Sequence, residues 1–125
     1  MKIGEQFRSV VINHQAISLY SLIADDEYQA TALGRDTWKK LIGSQASLQT
    51  NCNKEGFNVL CDGSNSKARI GIVAKNQDGC GYCRSRIGFG TGGSPDYYNT
   101  CGNEASLQSD NGRQRIKAMG YILVQ

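Results

Sequence analysis

Between Gly90 and Gly112 the chain carries Asp96, Asn99, Asn103, Glu104, Asp110 and Asn111, with Tyr97 and Tyr98 among them and Leu107 as the one large aliphatic residue. Carboxylates, amides and backbone carbonyls at irregular spacing are the oxygen donors that calcium takes, about six to eight at a time, from loops that can adjust to it. Asn103, Glu104, Asp110 and Asn111 are therefore candidate calcium ligands. Arg84, Asp96, Tyr97, Tyr98 and Asn99 are candidate contacts to a small polar ligand, the tyrosines offering rings on which a sugar can stack. A metal-free loop of Asp, Asn and Gly turns accounts for the same residues. A long stretch without periodicity inside a compact chain is functional or disordered, and the apolar run that follows requires this one to return to a core.

Other chemistries have less to work with. Cys80-Gly-Tyr-Cys83 has the spacing of a redox pair or of half a zinc site. Arg84–Phe89 continues it as a strand, however, so no helix dipole lowers a thiol pKa, and Cys52, Cys61 and Cys101 are too scattered in sequence to supply a second close pair. Structural disulfides are the better reading, with a small redox or zinc protein as the alternative. Gly88–Gly93 is glycine-rich like a phosphate loop but does not run into a helix, so turn chemistry explains it. His14, the only histidine, is remote in sequence from every cysteine, which leaves a Ser or Cys nucleophile without a base. No enzyme is expected. Arg84/Arg86 and Arg113/Arg115/Lys117 are the densest cationic pieces and could meet in space around a phosphate. Fourteen Lys and Arg against eleven Asp and Glu are otherwise spread along the whole chain, a mixed solvated surface rather than a nucleic-acid face.

The elements that must position these residues come next. A length of 125 residues fits one domain, 1–125, with a single core. Val10-Val11-Ile12 centres a strand over Gln6–Asn13, and Leu19, Leu22 and Ile23 give helical spacing to Ala16–Ala24, which ends at a solvated turn, Asp25-Asp26-Glu27. Asp36–Ile42 is the clearest helix: Trp38, Leu41 and Ile42 share a face, Asp36 suits its N-terminus, Lys39 and Lys40 its C-terminus, and Gly43 stops it. Gly56–Cys61 and Lys67–Ala74 form a hairpin, Arg86–Phe89 a short strand, and Ala118–Val124, continuously apolar, a central buried strand. The class is α+β: a mostly antiparallel sheet, two short helices in the first half, and a long loop-rich second half. No apolar run is long enough to span a membrane, and none sits at the start as a signal peptide would require. Five cysteines favour an oxidising compartment, and their odd number suggests a piece of a secreted protein whose remaining cysteine lies elsewhere.

Cys80, then Ile87-Gly88-Phe89-Gly90 seven residues on, then Cys101-Gly102 and an apolar ending at Gln125, resemble the C-terminal part of the fibrinogen-related domains, most of all the intelectin branch of secreted, calcium-dependent glycan-binding lectins. Leu33–Ile42 and Asn51–Asn58 are similar to fibrinogen-like extracellular proteins of invertebrates. The resemblance implies a disulfide-braced fibrinogen-like fold, a Cys52–Cys80 bridge, a partner for Cys101 upstream of Met1, and Asn103 at a calcium-ligating position. Cys61 and Cys83 have no counterpart and are left to pair with each other. Where intelectins place ligating Asn, Glu and His, this chain has Gly81, Cys83 and Arg84, and a later glutamate ligand falls on Pro95. The expected function is a secreted lectin-like module, calcium-dependent or not, with a glycan partner. The alternative is a non-catalytic structural or protein-interaction domain of the extracellular matrix, with homo-oligomers conceivable and neither nucleic acid nor membrane insertion expected.

Overall fold

The computed structural model describes all residues except Ser64 and Asp78. A hairpin of β1 (Lys2–Ile3) and β2 (Gln6–Phe7) opens the chain. Next come α1 (Leu19–Ile23), β3 (Gln29–Ala30) and α2 (Arg35–Lys40). The long hairpin β4 (Asn51–Leu60) and β5 (Lys67–Lys75) leads to β6 (Ser85–Gly92), β7 (Cys101–Ala105) and β8 (Gln114–Lys117). Strands β3 to β8 form one six-stranded antiparallel meander in chain order. The architecture is thus a mostly antiparallel sheet with two short helices.

Local chemistry explains most of the boundaries. Ser18 caps α1, exchanging side-chain and backbone hydrogen bonds with Ser21. Helix α2 carries Asp36 in its first turn and Lys39 and Lys40 in its last, matching the macrodipole. Trp38, Leu41, Ile42 and Leu48 bury against Phe57, Ile70, Ile72 and Ile87, which makes one sheet face the core. Register then sorts the strands into rows. Glu55, Ile72, Ile87, Asn103 and Ile116 lie side by side on that core face, and the adjacent row, Lys54, Val73, Arg86, Glu104 and Arg115, points to the other side because side chains alternate. A third row, Gly56, Gly71, Gly88 and Gly102, lets neighbouring backbones approach: a Cβ on Gly102, at φ 132°, would stand 2.0 Å from the Ile116 carbonyl oxygen.

Two disulfides, Cys52–Cys80 and Cys61–Cys83, pack side by side with Val59 and Val73, and Cys101 remains a half-buried thiol. No helix among the described residues is long and apolar enough to cross a membrane.

Three sequence expectations need correction. Ala118–Val124 is not a central buried strand: the sheet ends at edge strand β8, and Tyr121, Ile122, Leu123 and Val124 are exposed. Of that run, Ala118 donates its backbone N–H to the Cys101 carbonyl at 2.9 Å and Met119 forms a bridge to Lys2. The strand over Gln6–Asn13 shrinks to Gln6–Phe7, and Val10 and Ile12 pack on the core without pairing. The long loop is interrupted by β7, whose Cys-Gly-Asn-Glu-Ala carries no β-branched residue and pairs because β6 and β8 flank it.

Candidate functional site

The cationic pieces on either side of the loop do meet. Arg84 precedes β6, Arg113 precedes β8 and Arg115 lies within it, and together with Pro95, Glu104, Ala105 and Ser106 they line a cavity of about 200 Å³. The row of Arg86, Glu104 and Arg115 across β6, β7 and β8 runs beside it as alternating charge, an arrangement that favours pairing.

Arg86 is fully buried and organises the loop. Its guanidinium donates to the carbonyls of Gly93 at 2.8 Å, Ser94 at 3.2 Å and Asn99 at 2.9 Å, and also to that of Asp96. Residues 93–99, including the cis Ser94–Pro95 peptide, are thus gathered around one cation. Thr91 adds its hydroxyl, donating to the Asn99 carbonyl at 2.8 Å. Burial lowers the Arg86 pKa, against the raising influence of Glu104 and Asp96. A guanidinium keeps its charge even so.

Glu104 lines the cavity with 1% of its surface exposed. The Asn99 amide donates to its Oε2 at 2.7 Å, while Oε1 has no hydrogen-bond partner and lies 3.9 Å from the Arg115 Nε. Burial raises its pKa, more than the Asn99 bond and the Arg86 charge bring it down. Asp96 approaches the same Arg115 guanidinium at 3.9 Å and caps the Tyr98 amide at 2.8 Å. Tyr97 and Tyr98 follow on that loop with 68% and 86% exposure.

The other candidate residues divide. Asn103, one residue from Glu104, faces the opposite side of the sheet. Its amide is used by Ser47, accepting from the backbone N–H at 2.8 Å and donating to the carbonyl at 2.9 Å. Asp110 accepts from the Leu48 amide at 2.9 Å and from Arg35 and Lys39 at 2.7 Å each. Asn111 donates to the Ser44 carbonyl at 3.1 Å. These three clasp the 44–48 segment, and only Glu104 of the four lines the cavity, together with Arg84; Asn99 touches it through its bond to Glu104 and Asp96 through Arg115. The structure therefore does not assemble Asn103, Glu104, Asp110 and Asn111 into one coordination shell.

The sulfurs of Cys52, Cys61 and Cys83 lie within 4.8 Å of one another, closer than their sequence spacing suggests. All three are bridged, and a disulfide sulfur offers no thiolate to a metal. His14 shares a hydrogen bond with Gln29 at 3.0 Å and packs on Phe57, and it does not line the cavity.

Sequence reasoning saw that the two arginine pieces could meet but left Arg113 and Arg115 out of the candidate ligand contacts, and it missed Arg86 as the clamp and Ser106 as a cavity wall. The available signal was the period-two recurrence of arginine at 84, 86, 113 and 115. No family model, curated protein or solved structure matches the chain, so the cavity has to be understood from its own chemistry.

Proposed function

We propose that the chain is a lectin-like recognition module of the extracellular space, of the fibrinogen-related kind it resembles in sequence, and that it holds a glycan at the arginine-lined cavity. One observation carries this reading: loop 93–99 is tied through its backbone carbonyls to the buried Arg86, so the cavity edge at Pro95 and the exposed rings of Tyr97 and Tyr98 belong to a pre-organised segment. Pre-organisation removes part of the ordering cost of binding, and a few directed polar groups beside aromatic surface are what a small polar ligand needs. The two disulfides are compatible with an oxidising, extracellular setting.

Asp96 and Glu104 both face Arg115, so calcium would have to displace a guanidinium to reach them. We assign the first contacts to the side chains themselves. A glycan array probed with the oxidised chain, with and without EDTA, is the test. Binding that survives EDTA is expected. Binding abolished by EDTA would restore calcium to the site, and no binding to any glycan would end the lectin reading.

A second reading, an interaction domain of an extracellular assembly, has its own observation in the exposed Tyr121–Val124 run beside exposed Phe7, whose ring lies 6.3 Å from that of Tyr121. Exposed apolar runs of this kind mark contact surfaces. Concentration-dependent self-association in sedimentation that disappears on replacing Leu123 and Val124 by Ser would support it.

A further inference from the structure

The seven arginines fall into two groups. Arg8 donates to the Ile42 carbonyl, Arg35 to Gln49, Leu48, Asn53 and Asp110, Arg69 to Ile23, Asp26 and Asn58, and Arg86 to the loop carbonyls. Among the described residues, the guanidinium groups of Arg84, Arg113 and Arg115 make no hydrogen bond, and these three are the arginines that line the cavity. Arg115 has acidic neighbours only at 3.9 Å, beyond hydrogen-bond distance. The lining carries three cations and one carboxylate, a formal +2 from 3 − 1, and Glu104 within it has a buried, unpaired Oε1.

Resting on the recognition reading above, we propose that the ligand is an acidic sugar, whose carboxylate or sulfate is held by Arg84, Arg113 and Arg115, the Arg115 guanidinium turning from the buried Glu104 Oε1 to the anion so that a hydroxyl of the same ring donates to that oxygen. Guanidinium forks match both anions in geometry, and three of them around one cavity select for negative charge, as a stacking surface alone cannot. The hydroxyl contact distinguishes a sugar from a bare ion, because it gives the buried carboxylate oxygen the donor it lacks.

Arg84, Arg113 and Arg115 are exposed, so alanine at each leaves the fold intact, and thermal melting checks this. Affinities are measured by calorimetry for a uronate-containing oligosaccharide, a sulfated one and a neutral one of equal length, with inorganic sulfate as the simple-anion control. Wild-type protein should prefer an acidic oligosaccharide over the neutral one by at least about tenfold. Each alanine variant should lose about tenfold or more, the scale of a charge-assisted hydrogen bond, and affinity should weaken with added salt. Preference for uronate or for sulfate identifies the source of the charge, and either supports the proposal. Neutral oligosaccharide bound as tightly, with the alanine variants unaffected, would overturn the acidic class and leave the recognition reading standing. Inorganic sulfate bound as well as the sugar would overturn the hydroxyl contact. No binding of any oligosaccharide to the folded protein would overturn both readings.

Discussion

Two glutamates, Glu55 and Glu104, are buried on opposite faces of the same sheet, and their surroundings differ in one respect that separates scaffold from site. Glu55 accepts four hydrogen bonds, from the Thr31 hydroxyl at 2.6 Å, the Leu33 amide at 3.0 Å, the Gly34 amide at 2.7 Å and the Trp38 indole at 2.8 Å. Burial pushes its pKa up, but these donors together bring it below the usual carboxylate value. Glu104 has one such bond, from Asn99, and burial prevails. A saturated carboxylate fixes the β3–α2 connection to the sheet, whereas an unsaturated one beside a cavity is left with capacity for a ligand.

The sharpest way to break this contrast is to remove both carboxylates. Glu55→Leu leaves the buried Trp38 indole and the part-buried Leu33 and Gly34 amides without this acceptor and should cost about 3 kcal/mol. Glu104→Leu removes one satisfied and one unsatisfied oxygen and should cost much less. Urea unfolding of both variants measures the difference, and equal losses would dissolve the distinction. Next in size are the disulfides. Replacing either pair by Ser, Cys52 with Cys80 or Cys61 with Cys83, opens a loop of sequence separation 28 or 22 and should cost about 3 kcal/mol. No cysteine lines the cavity, so ligand affinity measured well below the melting temperature should hold.

A pH titration of stability sharpens the same contrast with opposite signs. Glu55 is depressed in the fold, so its contribution is present above the unfolded carboxylate pKa and is lost as pH falls through the folded value. Asp110 behaves likewise: burial raises it, but its bonds to Lys39, the Leu48 amide and Arg35 pull it lower. Glu104 is raised, so its contribution is complete below the unfolded pKa and is lost as pH rises through the folded one. Glu104→Gln, which has no charge to desolvate, should therefore gain on wild type at neutral pH and not at pH 4. Melting temperatures of the two proteins across pH 4 to 8 check this, and parallel curves would show that Glu104 does not titrate as its burial requires.

How much of this was legible in the sequence varies with the range of the interaction. Helix α2 and the β4–β5 hairpin could be read because their signals are local: Trp38, Leu41 and Ile42 on one helical face, and Ala68, Ile70 and Ile72 alternating after a turn-rich link. The apolar run at 118–124 misled because hydrophobicity records a need for cover without saying whether this chain supplies it. Strand β7 was hidden by its composition, since its pairing is enforced by the strands on either side. The site shows the same divide. Arg84, Asp96, Asn99 and Glu104 could be named from residue type, and the two arginine clusters could be seen as potential neighbours. That Asn103 and Glu104 face opposite ways follows only from β7 being a strand, and Asp110 could not be known to pair with Arg35 and Lys39, 75 and 71 residues away.

The smallest effect concerns the tyrosines that follow the clamped loop. Tyr98 is 86% exposed, and its backbone amide, not its ring, is held by Asp96. Tyr98→Ala should therefore change stability by no more than about 0.5 kcal/mol, as surface substitutions do. If the ring stacks on a sugar, the same change should weaken glycan binding by roughly fivefold, since an aromatic contact contributes about 1 kcal/mol beyond its area. Tyr98→Phe keeps the ring and should keep the affinity. Calorimetry on these two variants separates stacking from hydroxyl contact: equal weakening in both would assign Tyr98 to hydrogen bonding, and no change in either would confine recognition to the arginines and Glu104.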